Sequence, residues 1–297
     1  MQPAQRRYDE YGFPIPPTFE DETAAAGSRL ARRKGRRSPL LWGLLIVFVA
    51  LVLASLSGKH LPLDIRATVA HWYFDRAQQG LREDNLPAAL RDLEKAVSWL
   101  PEEEDLYQYR ANLRCEMHDL QGSLEDFDHV IQRSSSDYSA YIGRSIVYQR
   151  LARHRDAIDD STKAVELTNQ SAPALNHRAY TRARAVVELD EALQDVELAL
   201  TKSPNEPAYL DTRAYILFLQ GENDRALEDM ERAIDLMEPA LGSFRRTPRE
   251  KRALRESMAV MYFHRGQILE KAGEQRRAKR DLRLALEMGY DPESGVF

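Results

Sequence analysis

A dipeptide of an arginine followed by a small residue recurs six times along this chain of 297 residues. Successive copies are separated by 34, 34, 34, 35 and 52 residues. The copies are Arg76-Ala77, Arg110-Ala111, Arg144-Ser145, Arg178-Ala179, Arg213-Ala214 and Arg265-Gly266. A period of this length indicates a repeat architecture, in which each unit buries its apolar face only by stacking on its neighbours. The period therefore predicts a solenoid of stacked units.

Two further sets of small residues keep the same register. Twelve residues beyond each small residue, or thirteen in the fourth unit, stand Ala89, Ser123, Ala157, Ala192, Ala226 and Ala278. Seven residues further on stand Ala96, Val130, Ala164, Ala199, Ala233 and Ala285. Small residues at fixed positions allow the backbones of two helices to approach closely. Each unit is therefore expected to be a pair of tightly packed helices.

This pattern resembles the tetratricopeptide repeat (TPR) over residues 70–292. That family has small residues at the eighth, twentieth and twenty-seventh positions of the unit and a proline near the thirty-second, as at Pro101, Pro204 and Pro239. The family's aromatic residue at position eleven is present only as Tyr148, and three units lack the proline. The resemblance implies an all-α fold, a right-handed superhelical solenoid of about six helix pairs. The units are placed near 70–103, 104–137, 138–171, 172–206, 207–240 and 259–292, with an insertion at 241–258 and a tail at 293–297.

An aspartate also recurs in register in every unit. It lies fifteen residues beyond the small residue of the dipeptide, or sixteen in the fourth unit, as Asp92, Asp126, Asp160, Asp195, Asp229 and Asp281. An arginine in the first helix and an aspartate in the second predict an ion pair that fixes the register of the two helices. A role repeated six times makes no single reaction centre, so we interpret the pairs as structural.

An uncharged stretch of 21 residues, from Ser38 to Gly58, precedes the repeats. As a helix it would span about 31 Å, which matches a bilayer core of about 30 Å. Twelve of the residues in Leu40–Ser57 are Leu, Ile, Val or Phe. We therefore predict one transmembrane helix at 39–58, followed by a linker and the start of an extended helix at 59–69. A cleaved signal peptide is the alternative, and the 38-residue leader is long for one.

The basic residues around this stretch predict its orientation. Six of them directly precede it: Arg29, Arg32, Arg33, Lys34, Arg36 and Arg37. Only Lys59 and Arg66 follow it closely. The positive-inside rule then places residues 1–38 in the cytosol as a disordered tail, and the repeats on the non-cytosolic side, periplasmic or lumenal/extracellular. The aromatic and proline residues of Tyr8–Pro17 are either a short docking motif or part of a solvated tether.

Charge is distributed unevenly along the repeats. Residues 70–240 hold 33 acidic and 19 basic residues, whereas residues 241–297 hold 13 basic and 8 acidic ones. The acidic region disfavours nucleic acid as a partner, because binding would require approach against like charge.

The insertion at 241–258 is basic and contains a helix start. Thr247-Pro248-Arg249-Glu250 matches a capping box, so the final first helix is expected to run from near Pro248 to about Lys271. Its basic cluster is Arg245, Arg246, Arg249, Lys251, Arg252 and Arg255. Three roles remain open for this cluster: a solvated face, a contact for an acidic partner or lipid headgroups, and neutralisation of acidic units of the same chain.

Motifs of catalysis are absent from the sequence. The single cysteine, Cys115, excludes a disulfide framework and a multi-thiolate metal site. The seven histidines form no metal-ligand pair, and neither a glycine-rich phosphate loop nor a serine nucleophile elbow occurs. We therefore predict that the protein is not an enzyme and that it holds no metal and no small-molecule cofactor.

The resemblance also implies where a partner would bind. In the TPR family, the first helices line a concave groove through about the second, fifth, ninth and twelfth positions of each unit. The corresponding candidates are Phe74, Gln78, Gln108, Asn112, Ile142, Ile146, Gln149, Asn176, Tyr180, Asp211, Tyr215, Phe218, Phe263 and Gln267. The predicted function is a membrane-anchored protein–protein interaction scaffold that binds a peptide or protein in this groove. The alternative is an accessory or substrate-positioning subunit of an envelope enzyme complex.

Overall fold

The computed structural model describes residues 62–241 and 246–290, together with the isolated positions 43 and 46. Within residues 62–290 as described, the chain forms twelve α-helices and no strand. They are α1 (Leu63–Arg82), α2 (Leu86–Trp99), α3 (Glu104–Glu116), α4 (Leu120–Arg133), α5 (Tyr138–Arg150), α6 (His154–Leu167), α7 (Ala172–Ala185), α8 (Leu189–Lys202), α9 (Pro207–Leu219), α10 (Asn223–Leu241), α11 (Pro248–Lys271) and α12 (Gln275–Met288). Each odd-numbered helix packs most extensively against the helix that follows it, and then, from α3 onwards, against the second helix of the preceding pair. The all-helical prediction is confirmed for this part of the chain.

The two helices of each pair are joined by a three-residue turn that contains a left-handed residue. This residue always lies seven positions beyond the small residue of the dipeptide; the six are Asp84, His118, Ala152, Val186, Gly221 and Gly273. Glycine suits this backbone conformation, and a β-branched residue such as Val186, with a φ of 53°, is strained in it. The extra residue of the fourth unit lies in the same turn, where Val187 separates Val186 from Glu188, which is also left-handed.

The three sets of small residues lie at the contacts between helices, and all of them are buried. A Cβ added to Gly266 would lie 2.8 Å from side-chain atoms of Leu282 on the paired helix. A larger residue there would separate the helices or force a side chain out of its rotamer. The close approach inferred from the spacing is therefore present in the structure.

The predicted ion pairs form in all six units. In units two to five, Arg110, Arg144, Arg178 and Arg213 each donate two hydrogen bonds of 2.5–2.8 Å to the aspartate of their unit. In unit six, Arg265 Nε lies 2.6 Å from Oδ2 of Asp281, whose side chain is fully buried. In unit one, the distance from Arg76 to Asp92 is 3.3 Å, and Arg76 is half exposed. The pairs thus differ in burial although their sequence context is the same.

Helix α11 is longer than the other first helices and reaches back to the start of the solenoid. Its predicted start is confirmed, because Thr247 and Glu250 form a complete capping box. Arg252 then pairs with Asp84, in the turn of unit one, and with Glu116, at the end of α3. Arg249 Nη2 also lies 2.7 Å from Glu116 Oε2.

These contacts give two residues of the basic cluster one of the roles considered for it. Arg249 and Arg252 neutralise acidic residues of the same chain that are 133 to 168 positions away in sequence. Arg255 Nη2 instead donates to the carbonyl oxygen of Glu287, at 2.6 Å. Arg246 and Lys251 are exposed, and Arg245 is outside the described residues.

Several predicted segments are not covered by the described residues. They are the tail at 1–38, the transmembrane helix at 39–58 apart from positions 43 and 46, residues 59–61 of the linker, residues 242–245 of the insertion, residues 291–292 of the last unit, and the tail at 293–297. Among the residues that are described, no helix combines the length and the apolar character needed to cross a bilayer.

Candidate functional site

The fourteen candidate groove residues all lie on the first helices of the six pairs, α1, α3, α5, α7, α9 and α11. At the N-terminal end, Phe74 of α1 contacts Tyr109 of α3 edge to face, with ring centroids 4.9 Å apart. These rings line a cavity of about 200 Å³ together with His71, Leu100 and Leu106. One turn further along α1 lies Gln78. Its Nε2 is buried and has no hydrogen-bond partner among the described residues.

In the middle of the solenoid, several candidates are used for packing between units. The Gln108 side chain is buried and donates a hydrogen bond to Asp137 at the start of α5. Ile142 is also buried, and Gln149 Nε2 donates to Thr181 Oγ1 at 3.1 Å. Because both groups of the Gln108 amide are already hydrogen-bonded within the solenoid and Ile142 is part of its packing, the structure does not offer these two residues to a partner.

Two other middle candidates, Asn112 and Ile146, are half-buried and remain accessible. They occupy the ninth positions of neighbouring units, so their side chains present an amide and an aliphatic group to the same surface. In the part of the chain that the structure describes, Asn112 makes no side-chain hydrogen bond.

The C-terminal half holds a denser arrangement, built on α9 and α11. Asp211 Oδ1 lies 2.9 Å from Nδ1 of His264, and the His264 ring stacks on Tyr215 with centroids 4.7 Å apart. Phe263 stacks on Tyr290, which follows α12, at 4.2 Å. His264 and Tyr290 were not among the sequence candidates, because neither occupies a groove position of the repeat. The histidine's place beside Asp211 depends on how α9 and α11 pack.

Tyr180 and Asn176 lie one helical turn apart on α7. Burial raises the pKa of the Tyr180 phenol to about 12, and it also raises the pKa of Tyr215. Both phenols are therefore neutral hydrogen-bonding groups at physiological pH. Asn176 is 5% exposed, and its Oδ1 has no hydrogen-bond partner in the described residues. The last two candidates, Phe218 and Gln267, are half-buried, and Phe218 packs against the main core.

The described residues hold no group of three or more histidine, cysteine or acidic side chains that is placed to bind a metal ion. Burial raises the pKa of the Cys115 thiol, on α3, which keeps it protonated and unreactive. Besides the Asp211–His264 contact, the candidate side chains on the first helices can form hydrogen bonds through amides and phenols and can pack through aromatic and aliphatic groups.

No family model matches the chain. One curated relative, tetratricopeptide repeat protein 36 of Danio rerio, is 28% identical over 123 residues, which is 39% of this chain. The match spans 66% of that relative's length.

Solved structures of the same architecture are similar over a larger part of the chain. A tetratricopeptide repeat protein from Parabacteroides merdae has a TM-score of 0.61 and 22% identity, covering 75% of this chain and 80% of that one. PilW, a type IV pilus biogenesis factor, has a TM-score of 0.58 and 15% identity, covering 76% and 97%. A TPR protein from Thermus thermophilus has a TM-score of 0.50 and 19% identity, covering 56% and 91%. At these identities the likeness concerns the fold alone: the described helices form a solenoid of helix pairs similar to those of these structures.

Proposed function

We propose that this protein is a membrane-anchored scaffold that binds a peptide or protein segment in the groove lined by its first helices. The observation that carries the proposal is Asn176, whose buried Oδ1 lacks a partner among the described residues, one turn from the partly exposed Tyr180. A buried acceptor without a hydrogen bond costs about 1–3 kcal/mol, and an N–H of a bound peptide would remove that cost.

Other candidate side chains along the first helices also fit an extended peptide. Amides such as Gln78, Asn112 and Asn176 can pair with a peptide backbone, while Phe74, Tyr180 and Tyr215 can hold apolar or aromatic side chains. A site of this composition selects a partner by backbone pairing and a few anchors, without any chemical step. Function is inferred here from the side chains, because the fold by itself supports many functions.

The test is a selection for binding peptides with the full chain purified in detergent, using a displayed random-peptide library. Asn176→Leu and Tyr180→Ala are expected to weaken the selected peptide by about tenfold each, since each removes an anchor. Gln194→Ala, at an exposed position on the second helix α8, is the matched control and should leave the affinity unchanged. Equal affinities in all variants would contradict groove binding, and selective binding on a glycan array would favour a substrate-positioning subunit.

The membrane anchor is part of the same proposal and is supported by the sequence. The uncharged run at 39–58 is followed closely by α1, which begins at Leu63, so an anchored solenoid would stand near the bilayer surface. The six basic residues that directly precede the uncharged run support a cytosolic N-terminus and repeats on the non-cytosolic side.

This topology can be tested with single engineered cysteines, because the natural Cys115 is buried. A membrane-impermeant maleimide added to intact cells should label Ser136→Cys, at an exposed position between α4 and α5, and should not label Ser28→Cys in the tail. Both should be labelled after permeabilisation with detergent. The reverse labelling would show that the repeats face the cytosol.

A further inference from the structure

The outer surface of the last helix, α12, differs from that of the five preceding second helices. In those helices, the residue after the third small position is apolar and packs towards the next unit. These residues are Val97, Ile131, Val165, Leu200 and Ile234; Ile131 is half-buried, and the others are 2–7% exposed. The equivalent residue of α12 is Leu286, which is 58% exposed. In the described structure, α12 thus presents to solvent the surface on which a following first helix would pack.

Two nearby positions of α12 have also changed from the pattern of the other units. The residue after the second small position is Leu90, Leu124, Ile158, Leu193 and Leu227 in units one to five. In α12 it is Lys279, which is exposed. Five residues beyond the second small position stand Glu94, Asp128, Thr162, Glu197 and Glu231. In α12 the residue there is Arg283, also exposed, which is opposite in charge to the four acidic residues among these five.

Arg276, Lys279, Arg283 and Leu286 follow one another on the exposed side of α12 at helical spacing, and we call them the terminal face. None of the three cations forms an ion pair with a residue that the structure describes. By contrast, Arg277 on the flank of the same helix is held by acidic side chains of its own chain. The terminal face is therefore a basic surface whose three cations form no ion pair within the described residues, and it also exposes one apolar residue.

We propose that the terminal face docks an acidic amphipathic helix of a partner protein, laid against α12 as the first helix of a seventh unit would lie. The occupant is a helix because a first helix occupies this place after each of the five preceding second helices. The occupant is acidic because three unpaired cations line the face, and charge complementarity speeds association and sets orientation. Its apolar stripe covers Leu286, as the next unit covers the equivalent residue elsewhere.

The probe is a synthetic helical peptide with leucines along one face and glutamates on both flanks, added to the full chain in detergent. We expect saturable binding that weakens by about tenfold or more in the double variant Lys279→Glu/Arg283→Glu, and also weakens in Leu286→Ser. Arg155→Glu is the matched control, since Arg155 is an exposed cation on the second helix α6, and it should bind as the unsubstituted chain does. Circular dichroism should show the same helix content in every variant.

Several results would overturn the proposal. Unchanged affinity in the double variant would do so, and so would equal competition by polyglutamate, which has the charge without the apolar stripe. If vesicles of anionic phospholipid bind to the chain and the peptide shows no saturable binding, the terminal face binds lipid headgroups and not a helix. If the peptide does not bind and the unsubstituted chain self-associates, whereas the double variant does not, the terminal face binds a second copy of this chain. A chain ending at Tyr290 that binds the peptide much more tightly than the full chain would make residues 291–297 the occupant.

Discussion

The six Arg–Asp pairs join the same two side chains but differ in how far they are buried. The degree of burial predicts how much each arginine contributes to the free energy of unfolding. In unit six, Asp281 is fully buried and its partner Arg265 is 10% exposed. In unit one, Arg76 is 50% exposed and lies 3.3 Å from Asp92. Removing one partner of a buried pair costs about 3–5 kcal/mol, because an uncompensated charge is left behind. An exposed pair contributes about 0–1 kcal/mol.

The substitution Arg→Met keeps much of the apolar stem and removes the charge. Arg265→Met is therefore expected to lower the free energy of unfolding by about 3 kcal/mol or more. Part of the loss comes from Tyr262, over whose ring the guanidinium lies at 5.3 Å, a contact of about 0.5–1 kcal/mol. Arg280 Nε, 3.4 Å from Asp281, is a weak second partner that reduces the loss. Arg76→Met is expected to cost less, about 1–2 kcal/mol, because water already reaches the half-exposed guanidinium, although the Asp92 side chain that it leaves behind is only 9% exposed.

The assay is urea unfolding followed by circular dichroism, with hydrogen exchange to locate the loss, because repeat arrays do not always unfold in one step. The double variant Arg265→Met/Asp281→Leu should recover most of the stability lost in Arg265→Met, since no buried charge then remains. Equal losses at Arg76 and Arg265 would refute the argument from burial. Strict additivity of the two substitutions in unit six would show that the pair does not interact.

Three further predictions concern other parts of the solenoid. Arg252→Glu should separate α11 from Asp84 and Glu116 and increase the radius of gyration measured by small-angle X-ray scattering, whereas the exposed neighbour Lys251→Glu should not. Val186→Gly should stabilise the chain by about 1 kcal/mol in thermal unfolding, because it relieves a left-handed valine, and Val187→Gly should destabilise it. Burial lowers the pKa of His177 from its usual 6.5 to about 4, so the unfolded chain takes up a proton at this residue before the folded chain does. The free energy of unfolding should therefore be complete above pH 6.5 and should fall by up to about 3 kcal/mol as the pH is lowered towards 4. This component should be absent from the pH dependence of unfolding in His177→Gln, and its persistence there would contradict the assignment.

The contact between α11 and the first two units joins distant parts of the chain. Arg252 joins Asp84 and Glu116 across 136 to 168 positions of sequence, so it connects the two ends of the solenoid. These side chains are only partly buried, and such pairs weaken as salt increases.

Much of the fold was predictable because its determinants are local or repeated. The Arg–small dipeptide, the later small positions and the aspartate recur in register, and each copy reports the same packing of two neighbouring helices. The start of α11 at Pro248 is equally local, since a capping box needs only the four residues Thr247 to Glu250. The sequence by itself therefore determined the helix pairs, their ion pairs and the long final first helix.

The tertiary structure decided what depends on several units at once. Gln108 and Ile142 occupy groove positions of the repeat, yet neighbouring units bury both. His264 approaches Asp211 only because α9 and α11 pack across an insertion, and Arg252 meets Asp84 only because small rotations between units add up along the solenoid. Leu286 occupies the same repeat position as its five equivalents, but in the described structure no following unit covers it. A periodic sequence specifies each contact between neighbours, whereas burial and long-range pairing follow from their sum.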